Sequence, residues 1–157
     1  MRIKKTNAAR LLDSQHIPYE LKEYEVNEND LSASTLASKL GQNVEQVFKT
    51  LVLRGNTTGI FVAVIPGDGE VDLKKAAKIS GNKSAAMVHM KELPDLTGYI
   101  RGGCSPLGMK KPYPVFIHET CLSFRSVYIS AGKRGMQLFL KPDDLIRAAS
   151  AVVCDLI

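Results

Sequence analysis

The run FKTLVL, residues 48–53, constrains the fold most, because it predicts a strand that is apolar on both faces. A strand of this kind is normally covered on both sides, so a lysine within it needs either a partner charge or a cleft. Alternation places Lys49 on one face with Leu51 and Leu53. A second interpretation stays open, in which Lys49 lies near the start of the strand and extends its amine to water.

The length and composition indicate one domain, residues 1–157, with one hydrophobic core. Apolar residues make up 45% of the chain and charged residues 24%, and no run is long enough for a membrane span. The basic start of the chain is not followed by an apolar signal segment. The three cysteines include no CxxC pair, which favours reduced thiols. We therefore expect a cytoplasmic protein that does not contact membranes.

The periodicity predicts an α+β domain whose strands and helices do not alternate strictly. The predicted helices are one capped by Thr6 or Asn7 and ended at Ile17-Pro18, one from Ser34 to Gly41, one at 73–80 capped by Asp72, a turn at 93–96 and one at 143–150. The predicted strands are 19–24, a hairpin of 48–53 with 60–65, then 87–90, 115–118, 127–130, 136–140 and 152–157. This order predicts a mixed, partly barrel-like β-sheet with flanking helices rather than a doubly wound sheet.

Basic residues occur in clusters, and the net charge is +5 with a pI near 9.1. In the helix at 73–80, three lysines share one side, and Leu73, Ala76 and Ala77 are predicted to face inward. Clustered cations suit a phosphate-bearing partner, although a solvated face gives the same pattern. The clustered residues are Lys74, Lys75, Lys78, Lys110, Lys111, Lys133 and Arg134.

The loop GGCSPLG, residues 102–108, follows a predicted strand, so its backbone N–H groups can approach a ligand oxygen. A tight turn without a ligand is the alternative. Neither a P-loop nor GxGxxG is present, which disfavours nucleotide cofactors. Cys104 has no evident histidine to activate it, and no metal-ligand spacing or GxSxG is found. These patterns predict a cationic cleft without cofactor, metal or protein nucleophile, suited to stabilising negative charge.

Four motifs resemble one protein family in order and spacing. They are FKTLV with Lys49, LKKAAK from Leu73, GYIRGGCSPLG from Gly98 and YISAGKRG from Tyr128. Together they are similar to the YbaK/EbsC family of aminoacyl-tRNA deacylases over nearly the whole chain. The resemblance implies the fold of that family and of the related editing domain of bacterial prolyl-tRNA synthetases. It also implies trans-editing, the hydrolysis of misacylated tRNA, which is Cys-tRNA(Pro) in the YbaK branch.

The resemblance also implies roles for individual residues. Lys49 is the implied catalytic residue, and the implied substrate-binding residues are Tyr24, Thr50, Gly102, Gly103, Ser105 and Ser130. In the implied chemistry the substrate's own thiol attacks its ester and releases a thiolactone, so orientation and charge stabilisation suffice. The basic residues would hold the tRNA backbone, and selection of tRNA(Pro) would come from a complex with prolyl-tRNA synthetase, with no DNA involved.

Two alternatives stay open at this point. One is a related deacylase for another amino acid that uses water, which would release a free amino acid instead of a thiolactone. The other is a non-catalytic module that binds aminoacyl-tRNA or a synthetase. Turnover beyond one equivalent of charged tRNA would exclude the second.

Overall fold

A computed structural model of the protein describes residues 5–157, so the basic start of the chain, residues 1–4, lies outside the described residues. The helices are α1 (Asn7–Ser14), α2 (Ala33–Leu40), α3 (Leu73–Ile79), α4 (Leu93–Thr97) and α5 (Pro142–Ala149). The strands are β1 (Glu20–Glu23), β2 (Phe48–Gly55), β3 (Gly59–Pro66), β4 (Ala85–Met87), β5 (Val115–His118), β6 (Val127–Lys133), β7 (Met136–Leu140) and β8 (Val152–Cys154). No helix within residues 5–157 is long and apolar enough to cross a membrane.

The predicted hairpin is the centre of the larger sheet. β2 and β3 pair antiparallel in unbroken register, from Phe48 opposite Pro66 to Gly55 opposite Gly59. The sheet order is β4-β2-β3-β5-β8, and β5 runs parallel to both of its neighbours. The smaller sheet, β1-β7-β6, is antiparallel throughout. The predicted mixed α+β architecture is therefore confirmed.

The two sheets pack face to face and join at one point. Side chains from both sheets, among them Phe48, Ile117 and Leu138, form the largest core cluster. One parallel bridge, between Val47 and Tyr128, links the sheets at their edges. The expected partial closure consists of this bridge, and the two sheets do not close into a barrel. On the opposite face of the larger sheet, Ala76 of α3 packs into a second core cluster.

Helix ends follow local capping rules, with two corrections to the sequence analysis. The Ser32 hydroxyl accepts a hydrogen bond from the Thr35 amide, so α2 begins before Ser34. Asp72 caps α3 as predicted. Leu73, however, is 40% exposed and does not face inward. The reason is that the C-terminal segment lies beside this end of α3, where the Asp72 amide donates to the Leu156 carbonyl and the Leu156 side chain is fully buried.

Candidate active site

One edge of β2 is open over its middle residues. At its start Val47 bridges Tyr128 of β6, and at its far end the Val52 carbonyl accepts from the Val88 amide at 3.1 Å. Backbone groups of alternate strand residues point to the same edge, so those of Thr50 point in the same direction as those of Val52. No strand within residues 5–157 pairs with β2 at Thr50 on this edge. A gap therefore separates β4 from β6 along β2.

A cleft of about 480 Å³ lies along this gap. Its lining includes two cationic residues, Lys49 and Arg101. Within the described part of the chain, no Asp or Glu lines it. Much of the remaining surface is apolar, with Leu31, Val52 and Met90 among the contributors. A concave site with a few polar groups and one sign of charge suits a ligand that carries phosphate or develops negative charge.

Lys49 and Thr50 both line the cleft although they lie on opposite faces of β2. This is possible because the cleft follows the strand edge. The Lys49 side chain is half-buried, and within residues 5–157 no carboxylate pairs with its ammonium. Of the two possibilities raised by its apolar strand, partner charge or cleft, the geometry is that of the cleft. The Thr50 Oγ1 is buried and has no hydrogen-bond partner among the described residues.

The glycine-rich loop contributes Gly102 and Cys104 to the cleft. Gly102 has φ +81°, and a Cβ on it would lie 3.2 Å from the Nε of Arg134. The Gly103 amide is already bonded to the Ile100 carbonyl at 2.9 Å, and a Cβ there would lie 3.1 Å from the Cα of Lys133. Ser105 is fully buried, and its hydroxyl accepts from the Leu107 amide. Gly103 and Ser105 thus lie outside the cleft lining, and their contacts hold the loop in place.

The other implied substrate-binding residues lie on the smaller sheet and in the segment after β1. Ser130 lines the cleft from β6, and its Oγ accepts from the Gly132 amide at 3.1 Å. Tyr24 lines a smaller adjoining pocket, which shares Leu31 and Gly102 with the main cleft. The structure therefore brings Lys49, Thr50, Gly102 and Ser130 together, with Tyr24 next to them.

Gln137 and Arg101 line the cleft although the sequence analysis gave neither a role. Gln137 stands opposite Ser130 in the pairing of β6 with β7. Its signal was available in the sequence, because it is a polar residue inside an otherwise apolar strand, as Lys49 is. Arg101 lies next to a motif glycine, and its Nη1 contacts the sulfur of Met90 at 3.4 Å.

Cys104 lines the cleft without the properties of a nucleophile. It is 8% exposed, and burial raises the pKa of its thiol to about 12. A thiol with so high a pKa stays protonated near neutral pH, whereas the thiolate is the reactive form. The buried His118 accepts a hydrogen bond from the Leu156 amide at 3.1 Å and is therefore held at the C-terminal segment.

The basic residues differ in whether their side chains are exposed or engaged in ion pairs. Lys74 and Lys78 are exposed on α3, whereas the Lys75 ammonium pairs with Asp155 at 2.7 Å. Because α3 packs on the face of the larger sheet that carries Leu53, it lies on the face that also carries Lys49. Three further lysines are exposed, namely Lys110, Lys111 and Lys133. Arg134 is engaged with the Glu28 carboxylate at 2.6 Å and with the Arg101 carbonyl at 2.8 Å.

Comparisons with known proteins agree on one family. The family model of the aminoacyl-tRNA editing domain matches residues 28–148. A protein of Enterococcus faecalis (strain ATCC 700802 / V583), named as a candidate Cys-tRNA(Pro)/Cys-tRNA(Cys) deacylase EbsC, is 50% identical over 142 residues, which is 90% of this chain and 87% of that protein. The uncharacterised protein YwhH of Bacillus subtilis (strain 168) is 28% identical and covers 79% of this chain and 80% of its own length.

One solved structure extends the comparison to the whole fold. A structure described as a candidate trans-editing enzyme for prolyl-tRNA synthetase superimposes with a TM-score of 0.82 at 26% identity. The match covers 98% of this chain and 98% of that one. The overall fold is therefore shared with that protein.

Proposed function

Since the chain belongs to the aminoacyl-tRNA editing domain family and is an aminoacyl-tRNA deacylase, we propose that it edits Cys-tRNA(Pro) in trans. The relative that is 50% identical is named for this substrate, and the similarity covers 90% of the chain. Trans-editing here means that a separate protein cleaves the ester which links cysteine to the wrong tRNA.

The chemical part of this proposal is carried by one observation: the cleft holds a cation and lacks a competent protein nucleophile. Among the described lining residues, Lys49 has no carboxylate partner, and the only thiol is that of Cys104, which burial keeps protonated. Such a cleft can orient an ester and stabilise charge on its oxygen, but it offers no thiolate to attack the ester. The serine and threonine hydroxyls of the described lining have no histidine or carboxylate beside them in the cleft to act as a base, so the nucleophile then has to come from the substrate or from water.

In the proposed reaction the sulfur of the substrate cysteine attacks its own ester carbonyl carbon. A C–S bond forms and the C–O bond to the terminal ribose breaks. The thiol proton ends on the ribose oxygen, so the products are a thiolactone and uncharged tRNA. Lys49 would stabilise the negative charge that develops on oxygen, and the unpaired Thr50 edge with Gly102 would hold the ester in place.

The tRNA body would lie across α3 and the neighbouring lysines. Phosphate contacts of this kind give affinity without sequence information, so α3 cannot by itself select tRNA(Pro). We propose that a complex with prolyl-tRNA synthetase supplies the selection, which is in keeping with the description of the structurally similar trans-editing protein.

Reversing two charges on α3 should weaken tRNA binding. Lys74 and Lys78 are the residues to change to Glu, because Lys75 is paired with Asp155 and its loss would also disturb the C-terminal segment. Each lost phosphate contact should lower the slope of log affinity against log salt by about 0.7 to 0.9, so the double variant should lose about 1.5. Filter binding of tRNA over a salt series measures this slope. The matched control reverses the exposed Arg125 and Lys141. An unchanged slope in the α3 variant would place the tRNA elsewhere.

The charged tRNA with the fastest turnover identifies the substrate, and the first product identifies the nucleophile. We expect a panel of charged tRNAs to show fastest turnover with Cys-tRNA(Pro), and mass spectrometry to find thiolactone before its hydrolysis. Cys104→Ala should keep most of the activity, because the buried Cys104 thiol takes no part. Free cysteine as the first product would indicate attack by water. An acyl adduct on the wild-type enzyme, together with an inactive Cys104→Ala variant, would contradict the mechanism.

A further inference from the structure

The guanidinium of Arg134 connects two segments of the chain beside the cleft. Its Nε donates to the Arg101 carbonyl at 2.8 Å, and its Nη1 pairs with the Glu28 carboxylate at 2.6 Å. The Arg134 side chain is 27% exposed, compared with 66% for Glu28, so the carboxylate lies on the solvent side. Neither residue lines the cleft. Any effect of Arg134 on a bound ester therefore passes through the residues that it holds.

The backbone of Arg134 is itself held in place. Arg134 and Gly135 form the two-residue turn between the paired strands β6 and β7. The Gly135 carbonyl accepts from the Tyr24 amide at 3.0 Å. A Cβ on Gly103 would lie 3.1 Å from the Cα of Lys133 and 3.2 Å from the amide nitrogen of Arg134. The glycine-rich loop is thus packed directly against this turn.

The Nε hydrogen bond fixes the peptide unit between Arg101 and Gly102. This peptide is trans, so its C=O and N–H groups lie in one plane and point in opposite directions. Because the Arg101 carbonyl points to Arg134, the Gly102 N–H points away from Arg134. No backbone carbonyl within residues 5–157 accepts from this N–H, and Gly102 lines the cleft. The Gly102 N–H is therefore left as a donor for a substrate oxygen.

A donor of this kind needs a fixed direction. Donors that face developing negative charge lower a reaction barrier most when they are oriented before the reaction begins. Two adjacent glycines work against such order, because residues without a Cβ have access to many backbone conformations. The hydrogen bond from Arg134 to the Arg101 carbonyl opposes rotation of the peptide and so keeps the Gly102 N–H in one direction.

We propose that Arg134 is a positioning residue for deacylation, which orients the Gly102 N–H so that it donates to the carbonyl oxygen of the bound ester. This inference rests on the proposed role of Gly102 in holding the ester. It gives Arg134 a role in the chemical step, in place of the tRNA contact that the family resemblance implied.

Arg134→Lys separates the two roles. Lysine keeps the charge and can still pair with Glu28, but it has a methylene group where arginine has its Nε–H. With the charged tRNA that the wild type cleaves fastest, the single-turnover rate at saturating enzyme should fall about 10- to 100-fold, because a misdirected donor loses part of its effect. The affinity for tRNA and its salt slope, measured by filter binding, should stay unchanged because the charge is kept.

Two surface ion pairs provide matched controls. Glu28→Gln removes the carboxylate partner of Arg134 but leaves the Nε bond, so the rate should change by less than about threefold, as exposed ion pairs contribute little. Arg147→Lys makes the same substitution at an exposed arginine that pairs with Asp144 and lies outside the cleft lining. It should leave the rate unchanged. The Tm of Arg134→Lys should stay within about 4 °C of the wild type, the effect of one lost hydrogen bond.

The other outcomes overturn the inference. A wild-type rate in Arg134→Lys would show that the Nε bond is not needed, and a lower tRNA affinity at that rate would make Arg134 a phosphate contact. An equal loss of rate in Glu28→Gln would show that Arg134 acts through the segment before α2. Loss of cooperative melting in Arg134→Lys would make its role structural. A wild-type protein that deacylates no charged tRNA would overturn the proposed function instead.

Discussion

Lys49→Ala should reduce kcat/KM for Cys-tRNA(Pro) by about 100- to 1,000-fold, the range found when one charge-stabilising donor is removed from an active site. The reason is that the Lys49 ammonium lines the cleft and has no carboxylate partner within residues 5–157 that would hold it for a structural purpose. Single-turnover deacylation with saturating enzyme measures the chemical step directly.

Two controls distinguish a catalytic from a structural role for Lys49. Thermal unfolding of Lys49→Ala should stay cooperative, with stability changed by no more than about 1 kcal/mol, since the lysine is half-buried and unpaired. Lys83→Ala, at an exposed lysine outside the cleft lining, should be fully active. Near-normal turnover of Lys49→Ala would show that the assigned role is wrong, and loss of cooperative melting together with activity would make Lys49 a structural residue.

Replacing cysteine by serine on the same tRNA(Pro) should slow deacylation by at least about 1,000-fold, because intramolecular attack by a well-placed group is worth many orders of magnitude and a hydroxyl is a poor substitute for a thiol. The protein offers no replacement nucleophile in the cleft, since burial raises the pKa of Cys104 to about 12. Time courses with wild-type enzyme and tRNA of equal charging level give both rates.

S-methylcysteine on tRNA(Pro) is the sulfur-retaining control for the serine substrate, and it is larger than cysteine by one methyl group. It keeps the sulfur and its bulk but cannot attack the ester as a thiolate, so it should be as slow as serine. The uncatalysed rate of each ester has to be subtracted. Comparable rates for cysteine, serine and S-methylcysteine would mean that water is the nucleophile, and the alternative of a water-dependent deacylase would then hold.

Local periodicity determined most of the secondary structure. The structure confirms the strands predicted at 115–118 and 136–140 with the same bounds, as β5 and β7, and confirms the hairpin of β2 with β3. It also confirms Asp72 as the cap of α3. These features depend on residues that are close in sequence, on the alternation of a strand or the capping of a helix, so they could be predicted without knowing the partners.

The same local logic located part of the site. A lysine in a strand that is apolar on both faces predicted either a partner charge or a cleft, and the structure places Lys49 in a cleft. The family resemblance, rather than local pattern, implied that Gly102 and Ser130 belong to the same site, and both line the cleft that holds Lys49. Gln137 carried the same signal, a polar residue within an apolar strand, although it lies just outside the four motifs.

Tertiary structure alone decided where the cleft opens and which groups remain free inside it. The open edge of β2 exists because Val47 meets Tyr128 while Val52 meets Val88, contacts between residues far apart in the chain. A long-range contact likewise places the Lys75 ammonium in an ion pair with Asp155. A sequence pattern determines which face of an element is apolar, but which faces and edges meet depends on the packing of the whole chain, and that packing determines which polar groups are left for a substrate.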